Sequence, residues 1–157
     1  MKNIVVADTH KEFEIYNNVV EKNPADYYIH LGDGVNEFAD VAKAHPDKAF
    51  VFVKGECDFC TASSKQLLKL GKCRIFCAHG HEQDVTGGLE QIIEEAKTAD
   101  CNILLYGHTH VYKTEKVDGI YIMNPGSLGS PRGKNAPSYG ILEISEDGQV
   151  NMQIVAY

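Results

Sequence analysis

Six short apolar runs recur along this chain, and five of them end in a carboxylate or an imidazole. The runs cover residues 3–7, 27–31, 50–53, 75–78, 103–106 and 120–123. Each is rich in β-branched or aromatic side chains and only about one strand long, so each is predicted to be a strand buried on both faces. Residues 13–20, 38–44 and 89–96 carry helical patterns between them. The clearest has Leu89, Ile92, Ile93 and Ala96 on one helical face. The tail differs, because 139–144 and 150–155 flank Glu146-Asp147-Gly148, a turn signal, and predict an antiparallel hairpin. With no repeat, low-complexity tract or linker, the expectation is one α/β domain over 1–157 with extra β structure at its end.

With 157 residues, 43% of them hydrophobic and 24% charged, the chain is large enough to bury a continuous core without staples. Its net charge of -7 argues against duplex nucleic acid or an anionic membrane as the main partner, although a bound metal reverses the field locally. No apolar run approaches the roughly 18 residues of a membrane span. Asp8 interrupts the apolar start where the core of a signal peptide would continue, so a cytoplasmic location is expected. In that setting Cys57, Cys60, Cys73, Cys77 and Cys101 read as reduced thiols. The spacing of the first four invites a four-thiolate zinc site. Against it, Cys73, Ile75 and Cys77 alternate on one face of a predicted strand, and Arg74-Ile75-Phe76 is not the tight turn that paired zinc ligands need.

The strand ends carry the chemistry. Asp8-Thr9-His10 follows the first run, Gly32-Asp33-Gly34 the second and Gly55-Glu56-Cys57-Asp58 the third. His79-Gly80-His81 follows the fourth and Gly107-His108-Thr109-His110 the fifth. In open α/β sheets this edge is where ligands bind. In extended chain, residues i and i+2 point the same way, which pairs Asp8 with His10 and His108 with His110. Singly, each piece is an ordinary turn or cap. Jointly, carboxylates and neutral imidazoles after five successive strands describe a site for Mn, Fe, Zn, Co or Ni. Competing sites fail on spacing. Gly129 to Gly133-Lys134 is one residue short of a P-loop and lacks its Ser/Thr, no Gly-x-Ser-x-Gly elbow occurs, and no Cys has an Arg six residues on.

These segments, together with Asn124-Pro125-Gly126-Ser127, resemble the calcineurin-like metallophosphoesterases, and within them the small single-domain phosphodiesterases of bacteria and archaea. The resemblance implies a four-layer α/β/β/α sandwich of mixed sheets and a dinuclear metal centre. One divalent ion would take Asp8, His10, Asp33 and His110, and the other Asp33, Glu56, His79 and His108, with manganese the expected metal and Zn, Fe, Ni or Co as alternatives. It further implies hydrolysis of a small phosphodiester or phosphomonoester by in-line attack of a hydroxide held between the ions. A homodimer is the default assembly.

Three positions depart from or refine that pattern. Glu56 stands where the family has Asn. Three carboxylates and a hydroxide would bring two divalent ions to about neutrality, which disfavours dianionic monoesters relative to diesters. The alternative is that Glu56 turns away. Lys11 replaces the usual Gly, either as a solvated side chain opening the first helix or as a contact to substrate phosphate. Cys57 occupies the place of a His that protonates the leaving group in many members, and a thiol is a weak substitute. His81 is then the next candidate for proton donation or substrate contact, the other reading being support behind the ligands. Arg132 either binds phosphate or faces solvent. A non-catalytic interaction scaffold of the same fold is the competing function. It predicts an eroded site, whereas His10, His79, His108 and His110 are all present.

Overall fold

A computed structural model describes all 157 residues. Two five-stranded sheets face each other. The first runs β10-β9-β1-β2-β3 and the second β4-β5-β6-β8-β7. In the first, β1 (Lys2–Val6), β2 (Tyr27–His30) and β3 (Phe50–Phe52) are parallel, joined by α1 (Phe13–Lys22) and α2 (Val35–Ala44). β9 (Ser138–Ile144) and β10 (Val150–Ala156) form the expected hairpin and pair antiparallel onto β1. In the second sheet, β5 (Cys73–Ala78), β6 (Ile103–Leu105) and β8 (Ile120–Asn124) are parallel, with α3 (Glu90–Thr98) between β5 and β6.

Strand alternation makes the layers. Val5 and Ala7 join Ile29, Leu31, Ile75, Cys77, Ile103 and Leu105 in the core between the sheets. Ile4 and Val6 point the other way, onto Tyr16, Val19, Val20 and Val41 of α1 and α2. Leu104 and Ile122 meet Ile92 and Ala96 of α3 on the far side. The order is therefore helix, sheet, sheet, helix, because strands apolar on both faces need cover on both.

Two strands are additional to the sequence expectation. β4 (Lys65–Leu70) and β7 (Lys113–Val117) are sheet edges, each with two Lys; β7 is mostly exposed, while β4 is half-buried and sends Leu70 into the core. Each pairs antiparallel with an inner strand through a two-residue turn, Gly71-Lys72 or Asp118-Gly119. β3 is half-buried rather than covered on both faces, as suits an edge. The cysteines do not gather. Cys73 and Cys77 sit between the sheets, while Cys57 is exposed on the loop after β3.

Candidate functional site

The carboxyl ends of β1, β2, β3, β5 and β6 deliver their polar residues to one place, where the two sheets are laced together. The His79 ring hydrogen-bonds the Leu31 carbonyl at 2.7 Å, and the His108 amide donates to Asp8 Oδ2 at 3.1 Å. Asp8 Oδ1 then lies 3.8 Å from His79 Nε2, 3.3 Å from His110 Nε2 and 3.9 Å from His10 Nε2. Asp33 Oδ2 is 3.4 Å from His79 Nε2 and 3.9 Å from His10 Nε2. The ligating atoms of Asp8, His10 and His110, and those of Asp8, Asp33 and His79, each lie within 4.8 Å of one another.

The tautomers fix which ring atoms face the carboxylates. His79 Nδ1–H donates to Leu31 and His110 Nδ1–H to the Ser130 carbonyl, so in each neutral ring Nε2 presents a lone pair. Those lone pairs face carboxylate oxygens, and His110 Nε2 also faces His10 Nε2 at 3.2 Å. Asp8 Oδ1 and His79 Nε2 are buried and have no hydrogen-bond partner. Buried polar atoms are nearly always satisfied, and acceptor facing acceptor is repulsive unless a proton or a cation lies between. The donor set therefore fits divalent ions.

Without ions, protons take that role. Burial opposes charge on His79, but Asp33 and Asp8 prevail and hold its pKa above the ordinary imidazole value. Asp8 likewise raises His110. Burial alone would raise Asp33. Its neighbour His79 and the Cys57 amide, which donates to Oδ1 at 2.7 Å, instead hold it well below the usual carboxylate range. His108 is lowered by burial and by the charge of His79.

The backbone is bent to make this cluster. Asp8, His10, Asp33, His108 and His110 have φ of 53°, 41°, 58°, 68° and 59°. Left-handed conformations at non-glycine residues cost about 1–3 kcal/mol each and persist where surrounding structure imposes them. The extended i, i+2 pairing expected from sequence is therefore not how the donors converge. His110 turns towards His10 and Asp8, whereas His108 turns towards His79, at 5.2 Å between rings, and Glu56. Gly32, at φ 100°, is needed for a second reason. A Cβ there would lie 2.7 Å from the Gly55 backbone and 2.8 Å from His79 Nδ1.

Glu56 has a side chain 60% exposed, with Oε2 3.7 Å from His108 Nδ1, beside the cluster rather than inside it. The His81 ring lies 5.4 Å from His79 and 6.2 Å from His108, with Nδ1 buried and unpartnered. Lys11 and Cys57 line a cleft of about 150 Å³ together with His10, Asn36 and Glu37. Burial, then Asp33, pushes the Cys57 thiol up, so it stays protonated at neutral pH. Arg132 is exposed, its amide bonds the His110 carbonyl, and its charge reaches the His110 ring.

The sequence places Asp58 in a motif segment but gives it no role. Asp58 accepts four backbone amides, from Asp33 and Gly55 on Oδ2 at 2.8 Å and from Gly34 and Val35 on Oδ1 at 2.9 Å. It ties the Asp33 turn and the α2 N-terminus to the Glu56 loop. Its signal was its place in the Gly55-Glu56-Cys57-Asp58 segment, three residues after a loop glycine. Asn124-Pro125-Gly126-Ser127 performs a similar service opposite. Asn124 Nδ2 bonds Gly107 O and Thr109 Oγ1 at 3.0 Å, and Ser127 Oγ donates to Asp8 O at 2.7 Å.

The model of the calcineurin-like phosphoesterase superfamily domain matches residues 1–147. The chain is 29% identical to the phosphodiesterase YfcE of Escherichia coli K12 over 168 aligned residues, covering 91% of this chain and 88% of that one. A predicted phosphoesterase from Streptococcus pneumoniae superposes with a TM-score of 0.81 at 24% identity, over 99% of this chain and 97% of the other. Vps29 of Entamoeba histolytica, solved with zinc, gives 0.79 at 24% identity, over 99% and 98%. At these identities the two structures speak to the fold alone.

Proposed function

Since this chain belongs to the calcineurin-like phosphoesterase superfamily, we propose that it is a phosphodiesterase working with two divalent ions at the Asp8–His79–His110 cluster. Asp8, His10, Asp33 and His110 would hold one ion; Asp33, His79 and His108 would hold the other, with Glu56 turning inward from its exposed position beside His108 to join them. The carrying observation is that Asp8 Oδ1 and His79 Nε2, 3.8 Å apart among the other donor atoms, are both buried with no hydrogen-bond partner. When bound, such ions clamp phosphoryl oxygens and lower the pKa of water enough to supply hydroxide near neutral pH.

The protein's own groups complete the reaction. The Leu31 and Ser130 carbonyls orient His79 and His110 and make them better donors. Lys11, on the cleft wall, and Arg132 bring positive charge to the phosphate. His81 protonates the departing alcohol, with the protonated Cys57 thiol too weak a donor to replace it. With Glu56 turned in as a third carboxylate, phosphodiesters would be favoured over dianionic monoesters, and YfcE bears the name phosphodiesterase.

Hydrolysis of bis(p-nitrophenyl) phosphate with added Mn²⁺, beside p-nitrophenyl phosphate, tests this. Turnover of the diester, lost in Asp33→Ala and His79→Ala, is expected. No turnover with any divalent metal, while calorimetry shows two ions bound, would point instead to the interaction scaffold.

A further inference from the structure

Behind the cluster, three polar side chains meet at Gly34. His30 is fully buried, and burial lowers its pKa to about 4, so the ring is neutral. Its Nδ1 accepts the Gly32 amide at 3.1 Å, which leaves Nε2–H to donate to Thr9 Oγ1 at 3.1 Å. The Thr9 hydroxyl donates onward to Glu37 Oε1 at 2.9 Å. The same oxygen accepts the Lys11 amide at 2.5 Å. Glu37 projects from the first turn of α2 and is 6% exposed. Gly34 makes the meeting sterically feasible, since a Cβ there would lie 1.8 Å from Thr9 Oγ1, 2.9 Å from His30 Nε2 and 3.1 Å from Glu37 Oε1.

Both donors to Glu37 come from one turn, residues 8–11, in which Asp8, His10 and Lys11 have φ of 53°, 41° and 75°. A turn so strained relaxes unless it is held, and a buried carboxylate needs donors as much as the turn needs an acceptor. We infer that Glu37 is a positioning residue. Its Oε1, backed by Thr9 and His30, locks the left-handed turn so that the Asp8 and His10 donor atoms converge and Lys11 lines the cleft. The geometric part stands by itself; its functional consequence rests on the two-ion reading above.

Glu37→Ala removes the acceptor, whereas Glu37→Gln keeps an oxygen in its place. Manganese titration by calorimetry should show one of two binding steps weakened about ten- to hundredfold in Glu37→Ala, as expected for lost support behind a ligand. In Glu37→Gln both steps should stay within about threefold of wild type. Hydrogen exchange at the Lys11 amide in metal-free protein should be slow in wild type and Glu37→Gln and fast in Glu37→Ala. Equal weakening of both steps, or Gln as damaging as Ala, overturns the inference. If the wild type binds no manganese, the two-ion reading fails and exchange alone decides: a fast Lys11 amide in the wild type overturns the inference, and the slow, slow, fast pattern sustains it. Should Glu37→Ala not fold, Thr9→Val removes one of the two donors to Glu37 at nearly constant volume and should weaken the same single manganese step while the Lys11 amide, still bonded to Glu37, stays slow; an unchanged step or equal weakening of both overturns the inference.

Discussion

Replacing Asp58 by Ala should damage this protein more than its place beside the chemistry suggests. Its carboxylate is 5% exposed and is the acceptor for the amides of Asp33, Gly34, Val35 and Gly55. Hydrogen bonds to a charged acceptor are worth about 1.5–3 kcal/mol each, and four on one group are not additive. Counting each at about 1 kcal/mol, with water entering the gap, the loss is about 4 kcal/mol. That is a large part of the roughly 5–15 kcal/mol that stabilises a typical domain. At about 2–4 °C per kcal/mol for a chain of this size, Tm should fall by about 8–16 °C. Asp58→Asn retains one accepting oxygen and so one pair of amides, and should lose about half as much. The assay is thermal unfolding by circular dichroism in EDTA, so that ion binding does not contribute. A drop below about 3 °C for the Ala variant, or an Asn variant equal to wild type, refutes the clamp.

Two further outcomes follow from the electrostatics. His79 and His110 have raised pKa values in the metal-free protein, so the stability they contribute is complete below the unfolded imidazole value of about 6.5 and is lost as pH rises through their folded values. Metal-free Tm should therefore decline as pH rises above about 6.5, while manganese affinity rises over the same range with proton release, read by calorimetry in buffers of different ionisation enthalpy. A flat profile with no proton release would show that those rings carry no displaceable proton. Glu56→Asn should raise monoester turnover relative to diester turnover by several-fold, about 1 kcal/mol in relative barrier, because the centre gains one positive charge. An unchanged ratio would mean that Glu56, with its side chain 60% exposed, stays out of the centre.

Much of this protein was determined locally. Runs apolar on both faces demanded strands covered on both sides, their arrangement in two sheets being implied only by the family resemblance, and the choice of Asp and His after five strands set the donor chemistry. What lay beyond the sequence depends on contacts far apart in the chain. β4 and β7, each carrying two Lys, are edges that become strands because a neighbour offers unpaired backbone groups, which no local periodicity records. The alternation argument placed His108 beside His110, yet left-handed backbone at both sends one towards Glu56 and the other towards His10, a hundred residues away. Asp58 and Glu37 are ordinary acids until folding surrounds them with amides and a hydroxyl. The donors were specified by residue identity; their convergence was decided by tertiary packing, because only a closed sandwich can impose so many strained turns at one edge at once.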